Sequence, residues 1–180
     1  MKTSQKIFAV IALMFLAVQV TMGQEITREL SSFDKIIVSP RINVILEKGD
    51  QEGIRLVYSN VNADKINISV KRHTLRIYLD DAKVTERHRV SHHERRSIYE
   101  DATITAYVTY NELERLEIRG NQEVTCNGPL DSEKFILKAY GENEIRLTSL
   151  NTEYLKTSLY GENSLKIKGG KAEIQKYRLF

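Results

Sequence analysis

Residues 137–147, Leu137-Lys138-Ala139-Tyr140-Gly141-Glu142-Asn143-Glu144-Ile145-Arg146-Leu147, return twenty positions later as Thr157-Ser158-Leu159-Tyr160-Gly161-Glu162-Asn163-Ser164-Leu165-Lys166-Ile167. A fainter copy precedes them around Arg119-Gly120-Asn121-Gln122, so Gly120, Gly141 and Gly161 recur at almost equal steps. On each side of the glycine, apolar residues occupy every second position: Leu116 and Ile118, Leu137 and Ala139, Thr157 and Leu159 before it, then Val124 and Cys126, Ile145 and Leu147, Leu165 and Ile167 after it. A period of two means half-buried strands, and glycine between them marks a corner that needs positive φ or close approach to neighbouring backbone. Second breaks at Asn127-Gly128-Pro129, Ser149 and Gly169-Gly170 complete a coil of about 20 residues, the period of a unit that stacks on its own copies. The expectation is a β-solenoid in which Asn143 and Asn163 fall in one column, where amides can hydrogen-bond along the stack.

Outward from the repeats the texture persists. Ile42-Val44-Leu46, Leu56-Tyr58, Ile66-Ile68-Val70, Leu75-Ile77-Leu79 and Ile104-Ala106-Val108-Tyr110 alternate in the same way. Gly49-Asp50, Gly53, Asn60, Asn62, Asp80-Asp81 and Asn111 separate them with residues that suit turns. The fold class is therefore all-β, with regular coils of about 20 residues in the C-terminal part and less regular N-terminal strands that form the first turns or a cap.

The first 23 residues differ. Lys2 and Lys6 precede an almost unbroken apolar run from Ile7 to Val18, and Thr21-Met22-Gly23 supplies small residues, which is the pattern of a signal peptide cleaved before Gln24. The run is too short for a bilayer-spanning helix, which needs ~20 apolar residues. Gln24 in place of Cys leaves no acceptor for lipid attachment. Export to the periplasm, cell surface or medium is expected, with residues 24–180 as one domain. The whole chain of 180 residues has 27 basic against 24 acidic side chains; removing Lys2 and Lys6 leaves 25 against 24. A domain this close to neutral is no general nucleic-acid binder. One cysteine excludes a disulfide framework within the chain.

Phe33-Asp34-Lys35-Ile36-Ile37-Val38, Val44-Ile45-Leu46-Glu47-Lys48-Gly49, Leu75-Arg76-Ile77 and Val108-Thr109 before Leu113-Glu114-Arg115-Leu116, followed by the Gly-x-Asn corners, resemble the auto-transporter adhesin "head GIN" domain family. This is a domain family of unknown function abundant in secreted proteins of Bacteroidota. The resemblance runs from about Phe33 to Phe180 and implies a right-handed β-helix-like fold, a place in the cell envelope or on its surface, and an adhesive or ligand-binding role without family catalytic residues. The sequence departs from the family pattern at Asn111, where Pro is common, at Asn121-Gln122, and in ending before the next corner.

Several clusters carry candidate chemistry. Tyr140 and Tyr160 lie out of phase with the inward residues, so both should point outward, one above the other, with Glu142, Asn143, Glu162 and Asn163 beside them. Aromatic rings among amides and carboxylates suit a sugar. The competing expectation, and the favoured one, is a ladder that merely stiffens the stack. Arg87, His88, Arg89, His92, His93, Glu94, Arg95 and Arg96 form the densest charge run. A long polar loop is expected there, between strands ending near Val84 and starting near Ile98. Its cations could meet an anionic surface, whereas a zinc site of His88, His92 and Glu94 lacks anything that fixes its geometry, and a solvated loop is the simplest expectation. Cys126 aligns with Leu147 and Ile167, so a buried thiol is expected.

No phosphate-cradling glycine loop and no supported catalytic triad is present. The acids Glu142 with Glu162, or Asp80 with Asp81, could be drawn together for polysaccharide cleavage, but no third group sets them apart. No cofactor is implied. The leading expectation is a non-enzymatic adhesion domain for glycans or envelope components; the alternatives are an assembly module or homo-oligomer pairing through the open strand Ala172 to Phe180, and, behind it, a polysaccharide-active enzyme.

Overall fold

The computed structural model describes residues 23–85, 88–90 and 95–180, with 88–90 and 95–96 described by backbone alone. The expected signal peptide therefore lies outside the described residues, apart from Gly23. The described chain is all-β. Its strands are β1 (Gln24–Glu29), β2 (Lys35–Val38), β3 (Asn43–Lys48), β4 (Gly53–Ser59), β5 (Ile66–Lys71), β6 (Thr74–Leu79), β7 (His88–Val90), β8 (Arg95–Ser97), β9 (Thr103–Tyr110), β10 (Arg115–Tyr160), β11 (Asn163–Ile167) and β12 (Gly170–Leu179), with one short 3-10 turn at Ala63–Lys65. Each alternating run quoted from the sequence falls on a strand, because every second side chain must find the same face.

β10 is continuously paired over 46 residues because it turns corners without losing its ladder. Gly120, Gly141 and Gly161 adopt φ of +114°, +103° and +94°, a region that costs an L-residue dearly. Space at these corners is as short as conformational freedom. A Cβ on Gly161 would lie 2.6 Å from the Gly141 carbonyl oxygen, and one on Gly120 would lie 2.7 Å from Pro40 Cα. The corner glycines thus lie directly above one another.

Register gives the offset between turns. β10 pairs parallel with β11 as Asn143↔Asn163 through Leu147↔Ile167, and with β12 as Leu150↔Gly170 through Leu159↔Leu179. Both registers displace the chain by one sequence repeat. Beneath the first corner, however, the neighbour is not the preceding segment. β10 pairs with β2 as Leu116↔Ile36 and with β3 as Val124↔Val44, so residues 35–46 lie under residues 115–126 and Pro40-Arg41 forms the corner below Gly120. The intervening chain goes to the far side, where β6 pairs parallel with β2 and β9 parallel with β3.

Beyond those, β5, β4 and β1 add antiparallel. The sheet order is β1-β4-β9-β3-β10-β2-β6-β5, a sheet curled about one core, with β10 turning from one wing to the other. Among the N-terminal strands, β2 and β3 therefore lie parallel to β10, while β5 at one end of the sheet and β4 with β1 at the other form antiparallel edges. The core is one cluster from Phe33 to Leu159, including Ile36, Leu46, Leu116, Val124, Phe135 and Leu147.

The expected long loop between Val84 and Ile98 is corrected. His88–Val90 and Arg95–Ser97 pair antiparallel as a separate two-stranded sheet, His88↔Ser97. Three residues on each side alternate too briefly to register as strands beside so many charges. The placement of Arg87, His92, His93 and Glu94, and of the side chains of His88, Arg89, Arg95 and Arg96, lies outside the described residues. Among the described residues, no helix is long and apolar enough to cross a membrane, a statement that does not bear on β-barrels.

Candidate functional site

The corners carry the six residues singled out from the repeats, Tyr140, Glu142, Asn143, Tyr160, Glu162 and Asn163. Tyr140 and Tyr160 each precede a corner glycine and project from equivalent points of successive turns. Their rings stack at 4.8 Å between centroids and 6° between planes. Phe180 continues the column, 4.5 Å from Tyr160 and at 3°, held by backbone bonds from Phe180 N–H to the Leu159 carbonyl and from Gly161 N–H to the Phe180 carbonyl. Phe180 was legible in advance as the residue one repeat beyond Tyr160, but its change of type hid it.

Stacking decides which surfaces remain. Tyr160 has a ring on each face, so it can offer a ligand only its edge. Tyr140 has Tyr160 on one face. On the opposite side, toward the preceding turn, lies a cleft of about 340 Å³ whose lining includes Tyr140, Arg119, Asn121, Pro40, Arg41 and Val84. Its walls are held in place: Arg119 Nε donates to Glu117 Oε1 at 2.9 Å, and Pro40 is buried beneath Gly120. Burial, with the nearby Glu117 carboxylate and Tyr160, pushes the Tyr140 phenol above its ordinary pKa, so it remains a neutral hydroxyl able to donate and accept. The cleft therefore offers an aromatic side chain, an amide and two arginines beside apolar surface.

The amides behave differently from expectation. Asn143 does not lie beside the tyrosines on the outer face; it is 4% exposed. Its Nδ2 donates to Asn163 Oδ1 at 2.7 Å and to the Tyr140 carbonyl at 3.2 Å, and Asn163 repeats the second bond with the Tyr160 carbonyl. These asparagines cap the inside of the corner and form the anticipated column. Those bonds engage both amide nitrogens within the corner. Glu142 and Glu162 are not enclosed in this way: both are exposed, and Glu142 meets Asn121 both through its backbone N–H and through its carboxylate, at 3.4 Å each.

Cys126 sits in the core, with Sγ 3.4 Å from both Tyr110 Oη and the Gly128 carbonyl. Burial raises its pKa and, with the Cys126 contact, raises that of Tyr110 as well. Both groups stay neutral, and the thiol is inert. Among the described residues, no three His, Cys, Asp or Glu converge in a way that could hold a metal. A second, larger cleft of about 810 Å³ opens between the wings, lined by Tyr58, Asn60, Asn62, Lys65, Asp81 and Tyr99 among others. It is polar and open, and of the candidate acids named from the sequence it takes in Asp81; the cleft as a whole is not legible there, because it is assembled from turns far apart in the chain.

Solved structures similar in fold include the following three. A putative adhesin from Parabacteroides distasonis superposes with a TM-score of 0.63 at 17% identity over 87% of this chain and 69% of its own. A putative lipid binding protein from the same species gives 0.56 at 14% identity over 87% and 74%, and a putative adhesin from Parabacteroides merdae gives 0.52 at 12% identity over 89% and 94%. No curated protein sequence matches the chain. Residues 32–179 match the sequence pattern of the family described as "putative auto-transporter adhesin, head GIN domain", the same family that the strand motifs and Gly-x-Asn corners resemble, and over that span the chain belongs to it.

Proposed function

We propose that this protein is an exported, non-enzymatic adhesion module that binds a glycan or another cell-envelope component in the cleft beside Tyr140. Family membership supports the adhesive character, and the leader-like residues 1–23 support export. The parallel turns, each offset by one repeat, support reading the C-terminal part as a right-handed β-solenoid whose corners form the binding edge. The observation that carries the site is the cleft itself. Of the two tyrosines expected to meet sugar, Tyr140 lines this cleft while Tyr160 is stacked on both faces, and Arg119 and Asn121 line the cleft beside it as partners for hydroxyls. A catalytic reading finds no support, because Glu142 and Glu162 are solvent-accessible acids with no third group between them.

The test is a glycan and polysaccharide binding screen on the protein beside Tyr140→Ala and Tyr160→Ala, each checked for folding. Tyr140→Ala is expected to weaken binding at least about tenfold, roughly 1.4 kcal/mol, and Tyr160→Ala by only a few-fold, through loss of support. Equal effects would place recognition on the ladder's edge, and absence of binding to any glycan would overturn the sugar reading. A second reading, an assembly module, rests on a separate observation: β12 is paired on one side only and exposes its apolar residues.

A further inference from the structure

The last turn of the stack, residues 163–180, differs chemically from everything below it. β11 and β12 each pair with β10 alone, so their outer backbone donors and acceptors face outward. Ile174 is 55% exposed, Tyr177 54%, Leu179 72% and Phe180 70%, four of the five large hydrophobic residues that are exposed among those described. The same turn carries Lys166, Lys168, Lys171, Lys176 and Arg178 against the single acid Glu173, a net charge of +4. Residues 24–162 hold the remaining 20 basic and 23 acidic side chains, a net charge of −3. Lys171 is matched locally by Glu173 at 3.4 Å, while Lys176 and Arg178 flank Tyr177 on the edge strand.

We propose that this edge is a docking strand for an extended, acidic segment of another protein, which adds to β12 by backbone pairing while its carboxylates meet Lys176 and Arg178 and its alternate apolar side chains cover Tyr177 and Leu179. Three physical arguments select that occupant. Open strand edges are templates for added strands. A second copy of the same edge would bring +4 against +4, and antiparallel pairing about Tyr177 would set Lys176 opposite Arg178, which like charges disfavour. The edge strands at the other end offer little acidic complement: β1 carries Glu25, Arg28 and Glu29, and β5 carries only Lys71.

A lipid surface would satisfy the cations and apolar groups, but it leaves the strand's N–H and C=O groups unpaired in a medium without donors or acceptors. Edge lysines also serve simply to repel added strands. Here they sit among exposed aromatic and aliphatic side chains, which repulsion alone does not require.

The experiment uses a labelled ten-residue peptide of alternating Glu and Val, titrated by fluorescence anisotropy. Three probes accompany it: an alternating Lys-Val peptide, an alternating Glu-Pro peptide with equal charge and no capacity to pair as a strand, and vesicles of phosphatidylglycerol and phosphatidylcholine. The Glu-Val peptide is expected to bind and to slow amide hydrogen exchange in β12; Lys176→Glu/Arg178→Glu should weaken it at least tenfold and transfer preference to Lys-Val. Tyr140→Ala should leave this binding unchanged, which keeps the outcome separate from that of the cleft. Because the two charge reversals lie on an exposed edge, loss of fold is not expected, and Leu179→Ser supplies a second variant that should weaken binding without altering charge. Equal binding of Glu-Pro, preference for vesicles, self-association of the protein on dilution analysis, or no binding by Glu-Val would each overturn the proposal.

Discussion

Gln122 occupies the position that Asn143 and Asn163 hold on the next two turns, and it breaks their ladder. It is buried, and among the described residues neither Nε2 nor Oε1 has a partner; Asn143 Oδ1, the next group along the column, is likewise unpartnered among them. A buried polar group left unsatisfied costs about 1–3 kcal/mol. An asparagine at 122 could bond the Arg119 carbonyl, as its counterparts bond those of Tyr140 and Tyr160, and donate to Asn143 Oδ1. Gln122→Asn is therefore expected to stabilise the protein by about 1 kcal/mol, seen as a higher urea midpoint; an unchanged or lower midpoint would show that the longer side chain is already satisfied. The inward position of Asn143 was legible too. It lies two residues before inward Ile145, and the alternation points it into the core, but an amide beside a turn is so commonly exposed that the pattern alone does not decide its side.

At the scale of elements, local alternation determines that a strand exists and which face it buries, but says nothing about its neighbour. β2 and β3 were readable as strands, whereas their pairing with the distant β10 was not, because nothing in Leu116 or Val124 distinguishes Ile36 and Val44 as partners from residues closer in sequence. The spacing of turns was readable because successive copies carry the same side chains. One such pair joins the second breaks of adjacent turns: Asn151 Nδ2 donates to Asp131 Oδ1 at 2.8 Å. That bond, and then the charge of Lys48, hold the Asp131 carboxyl below its ordinary range. A pKa lowered by folding adds stability that is present above the unfolded value, about 4, and is lost as pH falls through the folded value. Asn151→Ala should raise the Asp131 pKa in a carboxyl NMR titration and shift the acid unfolding midpoint upward. The exposure of Asp131 keeps the stability change small, so a titration curve unaltered by the substitution is the result that would refute the coupling.

For the whole molecule, a stack of turns implies stability made of nearest-neighbour contacts, but the chain route makes the two ends unequal. The first repeated turn buries Leu116, Ile118, Val124 and Cys126 in the same cluster as Ile36, Val38, Val44 and Leu46, all at most 1% exposed. Cutting the chain between Leu113 and Glu114 would strip that cover from the C-terminal piece. Uncovering even four such side chains costs roughly 1.5–3 kcal/mol each, comparable to the entire stability of a domain. The last turn is different, since most of its side chains are exposed and its removal uncovers only one side of the turn beneath, at Ile145, Leu147, Leu155, Leu159 and the face of Tyr160. A fragment of residues 114–180 is thus expected to lack the far-UV circular dichroism of a β-sheet, whereas residues 24–160 should fold with a lower melting temperature. If the C-terminal fragment folded alone, the repeats would be a self-sufficient unit and the interleaving of β2 and β3 a contact between two domains; if the longer fragment failed to fold, the exposed terminal turn would be bearing far more of the stability than its burial allows.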